Sequence, residues 1–105
     1  EGHLEPQDKM DTTAEGLATS VPFSLTTEVL RDGLSDFLLV DDDQIRETLE
    51  QMLVESRVLM EGACATPIAA ALANPERVRD RTVVFPVTGR NISLSKLRGL
   101  VAERD

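Results

Sequence analysis

The chain has 105 residues, a formal net charge of −8, and three phenylalanines as its only aromatic residues. This length allows at most one domain with a modest core. The acidic balance, which comes from residues 1–60, argues against nucleic acid or an anionic membrane as a partner, and the scarcity of aromatic side chains argues against base stacking. The longest apolar stretches, Phe37 to Val40 and Val83 to Val87, are far shorter than the ~20 residues of a membrane-spanning helix.

The single cysteine bears on the cellular location of the protein, and the first residue bears on whether the chain is part of a longer protein. Cys64 has no partner for an internal disulfide and stands among alanines, so we predict a buried thiol in a cytoplasmic protein. The chain begins at Glu1 rather than Met, which suggests that it was cut from a longer protein. His3 has no second ligand at a useful spacing, so we predict no metal site there.

Residues 1–15 have no apolar period and are predicted to form a mobile N-terminal arm, followed by a partial α/β domain over residues 16–105. An amphipathic helix is predicted from Ser24, which can cap it, with Leu25 and Val29 on the apolar side. Gly33 is placed to end this helix.

Phe37 to Val40 is an unbroken apolar run, which is typical of a strand covered on both faces. Asp41 and Gln44 then match a capping box. Asp42 and Asp43 fall in the first turn of the helix that follows, where the helix dipole favours negative charge. A calcium loop is the alternative for this acidic run, but the spaced oxygen ligands and central glycine of that motif are missing.

The helix that starts at Asp41 is predicted to keep one apolar side as far as Leu59. A helix of small residues follows, for which Thr66 and Pro67 could be the cap and the first residue, and Asn74 with Pro75 ends it.

Val83 to Val87 is a second predicted buried strand, although Pro86 favours a strand end or an edge. A final helix is predicted from Ser93, with Leu94, Leu97 and Val101 facing inward. The predicted order is therefore α-β-α-α-β-α, an α/β fold with a small, mainly parallel sheet flanked by helices.

The turn at residues 87–92 is the candidate site, because ligands of open α/β sheets bind beyond the carboxyl ends of strands. The alternative is an ordinary turn in which Thr88 and Asn91 cap backbone groups.

Four segments in register resemble one enzyme family, the fold-type-II threonine and serine dehydratases, over roughly residues 11–101. Asp11 to Ala18 resembles that family's Thr-x-Ala-Asp/Glu-Gly-Leu/Ile-Ala segment, and Phe37 to Gln44 resembles its Val-x-Val-x-Asp-x-Glu-Ile segment. Glu61 to Ala65 is similar to Glu-Pro-x-Gly-Ala, and Val84 to Ile92 is similar to Val-Val-Leu-Ser-Gly-Gly-Asn-Ile/Val.

This resemblance implies a partial fold-type-II domain whose complete enzyme uses pyridoxal phosphate. Thr88 takes the place of the serine whose hydroxyl serves the pyridine nitrogen, Gly89 and Asn91 belong to the same turn, and Glu61 and Gly16 match positions beside the cofactor ring. The chain departs from the family at Gly62, where a proline is usual, and at Arg90, where a second glycine is usual. We predict a surface-pointing side chain for Arg90.

The Schiff-base lysine and the glycine-rich phosphate loop of that family do not occur in this sequence, and Lys9 and Lys96 stand in other contexts. We therefore predict that this chain alone binds no cofactor and has no catalytic residue of its own. The complete enzyme would deaminate threonine or serine to a 2-oxo acid and ammonia. The expected partners are a missing N-terminal half or a second copy in a homodimer. The alternative is a free-standing, non-catalytic remnant of the fold that acts as an oligomerisation or interaction module.

Overall fold

Four α-helices joined by irregular segments make up the fold in the computed structural model, which describes residues 5–102. The helices are α1, Ser24–Gly33; α2, Asp42–Ser56; α3, Gly62–Ala73; and α4, Leu94–Ala102. Two single 3-10 turns lie at Glu15–Leu17 and Pro75–Arg77. His3 lies outside the described residues. None of the helices within residues 5–102 is both long enough and apolar enough to cross a bilayer.

Helix α2 begins as its sequence predicts and ends earlier. The Asp41 side chain accepts from the Gln44 amide at 2.8 Å, and the Gln44 side chain accepts from the Asp41 amide at 2.9 Å, so the predicted capping box is confirmed. Arg57 then adopts the left-handed conformation, with φ at 57°, and the Val58 amide closes the helix on the Met52 carbonyl at 3.0 Å. The prediction that the helix reaches Leu59 is therefore wrong.

Helix α3 starts at Gly62, five residues before the predicted first residue, Pro67. The Cys64 and Ala65 amides both donate to the Glu61 carbonyl, at 3.1 and 3.3 Å, which begins the helix before Thr66. Pro67 consequently lies inside the helix, and Thr66 donates its hydroxyl to the Gly62 carbonyl at 3.2 Å instead of capping. The interpretation of these two residues as cap and first residue is wrong.

The core lies where α2, α3 and α4 meet, and α2 and α3 form the main helix pair. Its buried members are Ala14, Ile45, Leu49, Met60, Cys64, Ala65, Ile68 and Leu100. The burial of Cys64 is therefore confirmed. On α4 the buried residue is Leu100, whereas Leu94 and Val101 are 60% and 56% exposed, so their predicted inward orientation is wrong.

The two segments predicted as strands are not paired into a sheet. No strand occurs within residues 5–102, so the predicted α-β-α-α-β-α order and its parallel sheet are not confirmed. Phe37 and Leu39 are 72% and 86% exposed, and Val84 is 83% exposed. Their apolar pattern is typical of covered strands, but a strand also needs neighbouring backbone for its hydrogen bonds, and the described residues supply none.

Helix α1 spans the predicted residues but is not capped or packed as predicted. Its N-cap is Phe23, whose carbonyl accepts from the Thr27 hydroxyl at 2.8 Å, so the capping role predicted for Ser24 is wrong. Leu25 and Val29 are 74% and 64% exposed, and α1 has no buried residue. Within residues 5–102, α1 packs against none of the other helices.

Candidate functional site

The side chain of Glu61 lies at the centre of the residues that the sequence singles out. Glu61 immediately precedes α3, and its amide donates to the Gly89 carbonyl at 3.2 Å. Its carboxylate accepts from the Asn91 amide at 3.1 Å. These two bonds tie the 88–91 turn to the start of α3 although 30 residues separate Glu61 from Asn91.

Two glycines let backbone approach Glu61 closely. A Cβ atom on Gly89 would lie 2.4 Å from Glu61 Oε2, which is far inside van der Waals contact. A Cβ atom on Gly16 would lie 3.1 Å from the Ala63 Cβ and 3.5 Å from Glu61 Oε1. The carboxylate of Glu61 is thus held between the two turns that carry Gly16 and Gly89.

The hydroxyl of Thr88 sits at the exposed edge of this arrangement. Thr88 Oγ1 lies 3.6 Å from the sulfur of Cys64, which is buried. A threonine hydroxyl has one proton to donate and two lone pairs that accept. If the Cys64 thiol donates to Thr88 Oγ1, the hydroxyl proton of Thr88 remains available for another acceptor. Arg90, the next residue but one, is exposed as predicted.

Asp42 is a further residue of the site, and the sequence analysis placed it only in the first turn of α2. Its Oδ1 accepts from the Thr12 hydroxyl at 2.7 Å and from the amide and hydroxyl of Thr13, both at 2.8 Å. The bond from Thr12, followed by those from Thr13, holds the pKa of the Asp42 carboxyl below its usual value. No local sequence motif predicts these hydrogen bonds, because they link residues that are 29 and 30 positions apart.

A cavity of about 400 Å³ opens beside Glu61, between the Glu15–Leu17 turn and helices α2, α3 and α4. Leu49, Ile92 and Leu100 form its apolar part. Glu15 and Lys96 also line it and form an ion pair with each other. Three of the five predicted site residues, Gly16, Glu61 and Asn91, line this cavity, whereas Thr88 and Gly89 do not.

The chemistry of these groups fits one edge of a pyridoxal phosphate ring. A pyridine nitrogen is a hydrogen-bond acceptor, and Thr88 offers it a neutral hydroxyl donor. The absence of a Cβ atom at positions 16 and 89 leaves room for Ala63 and the carboxylate of Glu61, which pack against these glycines. The two lysines of the chain do not complete the site. Lys9 is 85% exposed beside Asp11, and the ammonium of Lys96 is bound to Glu15.

The chain is similar in sequence to pyridoxal-phosphate-dependent enzymes. Residues 1–89 match the family of pyridoxal-phosphate-dependent enzymes. The chain is 30% identical over 99 residues to the catabolic L-threonine dehydratase TdcB of Staphylococcus aureus strain USA300, covering 90% of this chain and 29% of that protein. It is 32% identical over 98 residues to the Escherichia coli K12 protein of the same name, covering 91% of this chain and 30% of that protein.

A solved structure shows the same arrangement of the backbone. The processed form of threonine deaminase isoform 2 from Solanum lycopersicum superposes with a TM-score of 0.83 at 26% identity, over 96% of this chain and 30% of that chain. The chain thus spans about 30% of the length of the relatives that it matches. With the family match extending over most of its residues, the chain belongs to the pyridoxal-phosphate-dependent enzyme family.

Proposed function

We propose that this chain is the C-terminal part of a pyridoxal-phosphate-dependent lyase that deaminates threonine or serine to a 2-oxo acid and ammonia. The observation that carries the proposal is the convergence of Gly16, Gly89 and Asn91 on Glu61, with the Thr88 hydroxyl at the edge. The names of the matched relatives, threonine dehydratase and threonine deaminase, support the reaction class. The free thiol of Cys64 supports a cytoplasmic location.

Each residue has a distinct task in this proposal. Thr88 would donate a hydrogen bond from its hydroxyl to the pyridine nitrogen of the cofactor. A neutral donor leaves that nitrogen largely unprotonated, and the cofactor then supplies the moderate electron withdrawal that suits β-elimination. Gly16 and Gly89 let their two turns close around Ala63 and Glu61, because a side chain at either position would meet one of these residues. Glu61 orients the 88–91 turn through the Asn91 amide.

The residues that would bond covalently to the cofactor and bind its phosphate lie outside this chain in the proposed enzyme. Lys96 lines the cavity but is paired with Glu15, and Lys9 is exposed beside Asp11, so we assign neither of them to the covalent bond with the cofactor. The proposed partner is accordingly the remaining part of the fold, and the amino-acid substrate binds only to the complete protein.

Expression of the whole protein tests this function. Purified whole protein with pyridoxal phosphate should release a 2-oxo acid from threonine or serine, measured with a coupled dehydrogenase, and the isolated chain should release none. The matched pair Thr88→Ser and Thr88→Ala separates the hydroxyl from the rest of the side chain. A whole protein that binds the cofactor and deaminates neither amino acid would refute the proposed reaction.

A second role, as a non-catalytic interaction module, is supported by the exposed apolar surface. The residues involved are Phe23, Leu25, Val29, Leu34, Phe37, Leu39 and Val84, each at least 47% exposed. Exposed apolar side chains can bind a partner, and unpaired extended segments can pair with another copy. For this role we propose a two-fold homodimer.

Size exclusion with light scattering at micromolar concentration tests the dimer. Leu25→Glu should shift the chain towards the monomer by placing a charge in the apolar surface. Thr26→Glu, which adds the same charge without removing an apolar side chain, is the control. A stable monomer for the unaltered chain would contradict the dimer and leave the proposed lyase function untouched.

A further inference from the structure

The segment that carries Gly16 is tied to α2 by one carboxylate. Asp42 Oδ1 accepts three hydrogen bonds from Thr12 and Thr13, between 2.7 and 2.8 Å long. The Thr12 hydroxyl in turn accepts from the Ala14 amide at 3.1 Å. Hydrogen bonds to an ionised acceptor are roughly twice as strong as neutral ones. Asp42 is therefore the main polar anchor for residues 12–14.

The same segment also rests directly on the start of α3. A Cβ atom on Gly62 would lie 2.6 Å from the Thr13 carbonyl oxygen and 3.1 Å from the Ala14 Cα. Ala14 is 2% exposed and belongs to the core. Backbone cannot yield to a new methyl group as the end of a long side chain can. Gly62 thus sets how closely this segment approaches α3.

These two contacts help to determine where Gly16 lies, together with the ion pair between Glu15 and Lys96. The Glu15–Leu17 turn begins at the residue after Ala14, and the Leu17 amide donates to the Ala14 carbonyl at 2.8 Å. Residues 5–11, which precede the segment, contain no helix or strand. Since Ala14 is fixed on both sides, the turn that follows is fixed beside Ala63 and Glu61.

We propose that Asp42 is the positioning residue of the site: it clamps Thr12 and Thr13 against the Gly62 backbone and thereby holds Gly16 beside Glu61. Asp42 touches neither substrate nor cofactor and acts through this segment. The clamp itself is a property of the chain, whereas its effect on the cofactor rests on the proposed function.

Amide hydrogen exchange in the isolated chain tests the clamp. Asp42→Ala should accelerate exchange of the Thr13 and Ala14 amides by about tenfold or more. The Thr13 amide loses its acceptor, and the Thr12 hydroxyl that accepts from the Ala14 amide is no longer held by Asp42. The amide of Ile68 inside α3 reports global unfolding and should change little. Asp43→Ala is the matched control, since it removes the neighbouring first-turn carboxylate, which contacts Arg46 and not this segment. Unchanged exchange at Thr13 and Ala14, or an equal effect of Asp43→Ala, would overturn the clamp.

Further variants distinguish the effects of the Asp42 charge and of the close approach at Gly62 from a general loss of stability. Asp42→Asn keeps one acceptor oxygen and should give exchange rates between those of the unaltered chain and Asp42→Ala. Gly62→Ala should free the segment from α3, whereas Gly99→Ala, which meets no atom within 4 Å, should not. Equal exchange at Thr13 for the two glycine variants would contradict the proposed contact.

Cofactor affinity, measured on the whole protein, tests whether Asp42 positions the site, because it should not change if Asp42 has only a structural role. There, Asp42→Ala should weaken pyridoxal phosphate binding by about tenfold in a fluorescence titration while Asp43→Ala leaves it unchanged. Equal cofactor affinity for both variants would overturn the positioning role. If the unaltered whole protein binds no cofactor, the proposed function fails, and the exchange experiment still decides whether the clamp exists.

Discussion

Replacing Gly89 with alanine tests the contact at the centre of the site. The new methyl carbon would lie 2.4 Å from Glu61 Oε2, 2.5 Å from its Cδ and 2.7 Å from its Oε1. These atoms form the end of a flexible side chain, so we expect the carboxylate to move and the backbone to stay. The movement breaks the bond that Glu61 accepts from the Asn91 amide at 3.1 Å.

The expected cost follows from that single bond. A hydrogen bond to a charged group contributes about 1.5–3 kcal/mol, and the lower end applies because Asn91 is exposed. Alanine also restricts the unfolded chain, which returns about 0.4–1 kcal/mol. Gly89→Ala should therefore destabilise the chain by about 1 kcal/mol, and the urea midpoint should fall by about 0.5–1 M.

A double-mutant cycle with Glu61→Ala identifies the cause. Without the carboxylate, Gly89→Ala should become neutral or slightly stabilising, so that the coupling between the two positions is about 1.5 kcal/mol. Gly33→Ala is the control, because its new methyl group meets no atom within 4 Å. If Gly89→Ala costs the same with and without Glu61, the carboxylate does not occupy the space that the structure gives it.

Four further predictions concern the cofactor edge and the pH dependence. In the whole protein, Thr88→Ala should slow elimination by about tenfold to a hundredfold and Thr88→Ser should be tolerated, in steady-state assays; equal activity of the alanine variant would remove Thr88 from the site. The isolated chain mixed with pyridoxal phosphate should give no stoichiometric borohydride-trapped adduct on one lysine, and mass spectrometry that finds one on Lys9 or Lys96 would contradict this. Because the pKa of Asp42 is lowered in the folded chain, its contribution to stability is fully present above about pH 4 and is lost as the pH falls through the folded pKa; urea midpoints at pH 6 and pH 3 should therefore differ more for the unaltered chain than for Asp42→Asn. We expect the Cys64 thiol to be the donor in its contact with Thr88, so Thr88→Val should move the S–H stretching band of Cys64, the only cysteine, to the frequency of an unbonded thiol; an unmoved band would show that the thiol does not donate to Thr88 across 3.6 Å.

The elements that the sequence predicts well are those whose signals are local. The capping box of Asp41 and Gln44 depends on residues three apart, and it places the start of α2 correctly. The bounds of α1 follow from helical spacing and a glycine at the end. Two other boundaries were missed: the Glu61 carbonyl starts α3 before Pro67, and the left-handed Arg57 stops α2 before Leu59.

The candidate site, too, was predicted from the sequence only in part. The family motifs in the sequence select Thr88, Gly89 and Glu61, because residue types in order are enough to recognise them. Sequence order cannot show that the Glu61 carboxylate fills the space above Gly89, or that Asp42 binds Thr12 and Thr13.

By itself, the sequence determined the start of α2, the buried cysteine and the residues of the family motifs, since each depends on near neighbours or on residue type. Only the tertiary structure decided which of these residues touch and which apolar segments are covered. Phe37 to Val40 and Val83 to Val87 have the pattern of buried strands, yet the described residues leave them unpaired. The apolar pattern indicates that a segment is suited to burial. Burial itself requires neighbouring residues, and these come from parts of the chain that are distant in sequence.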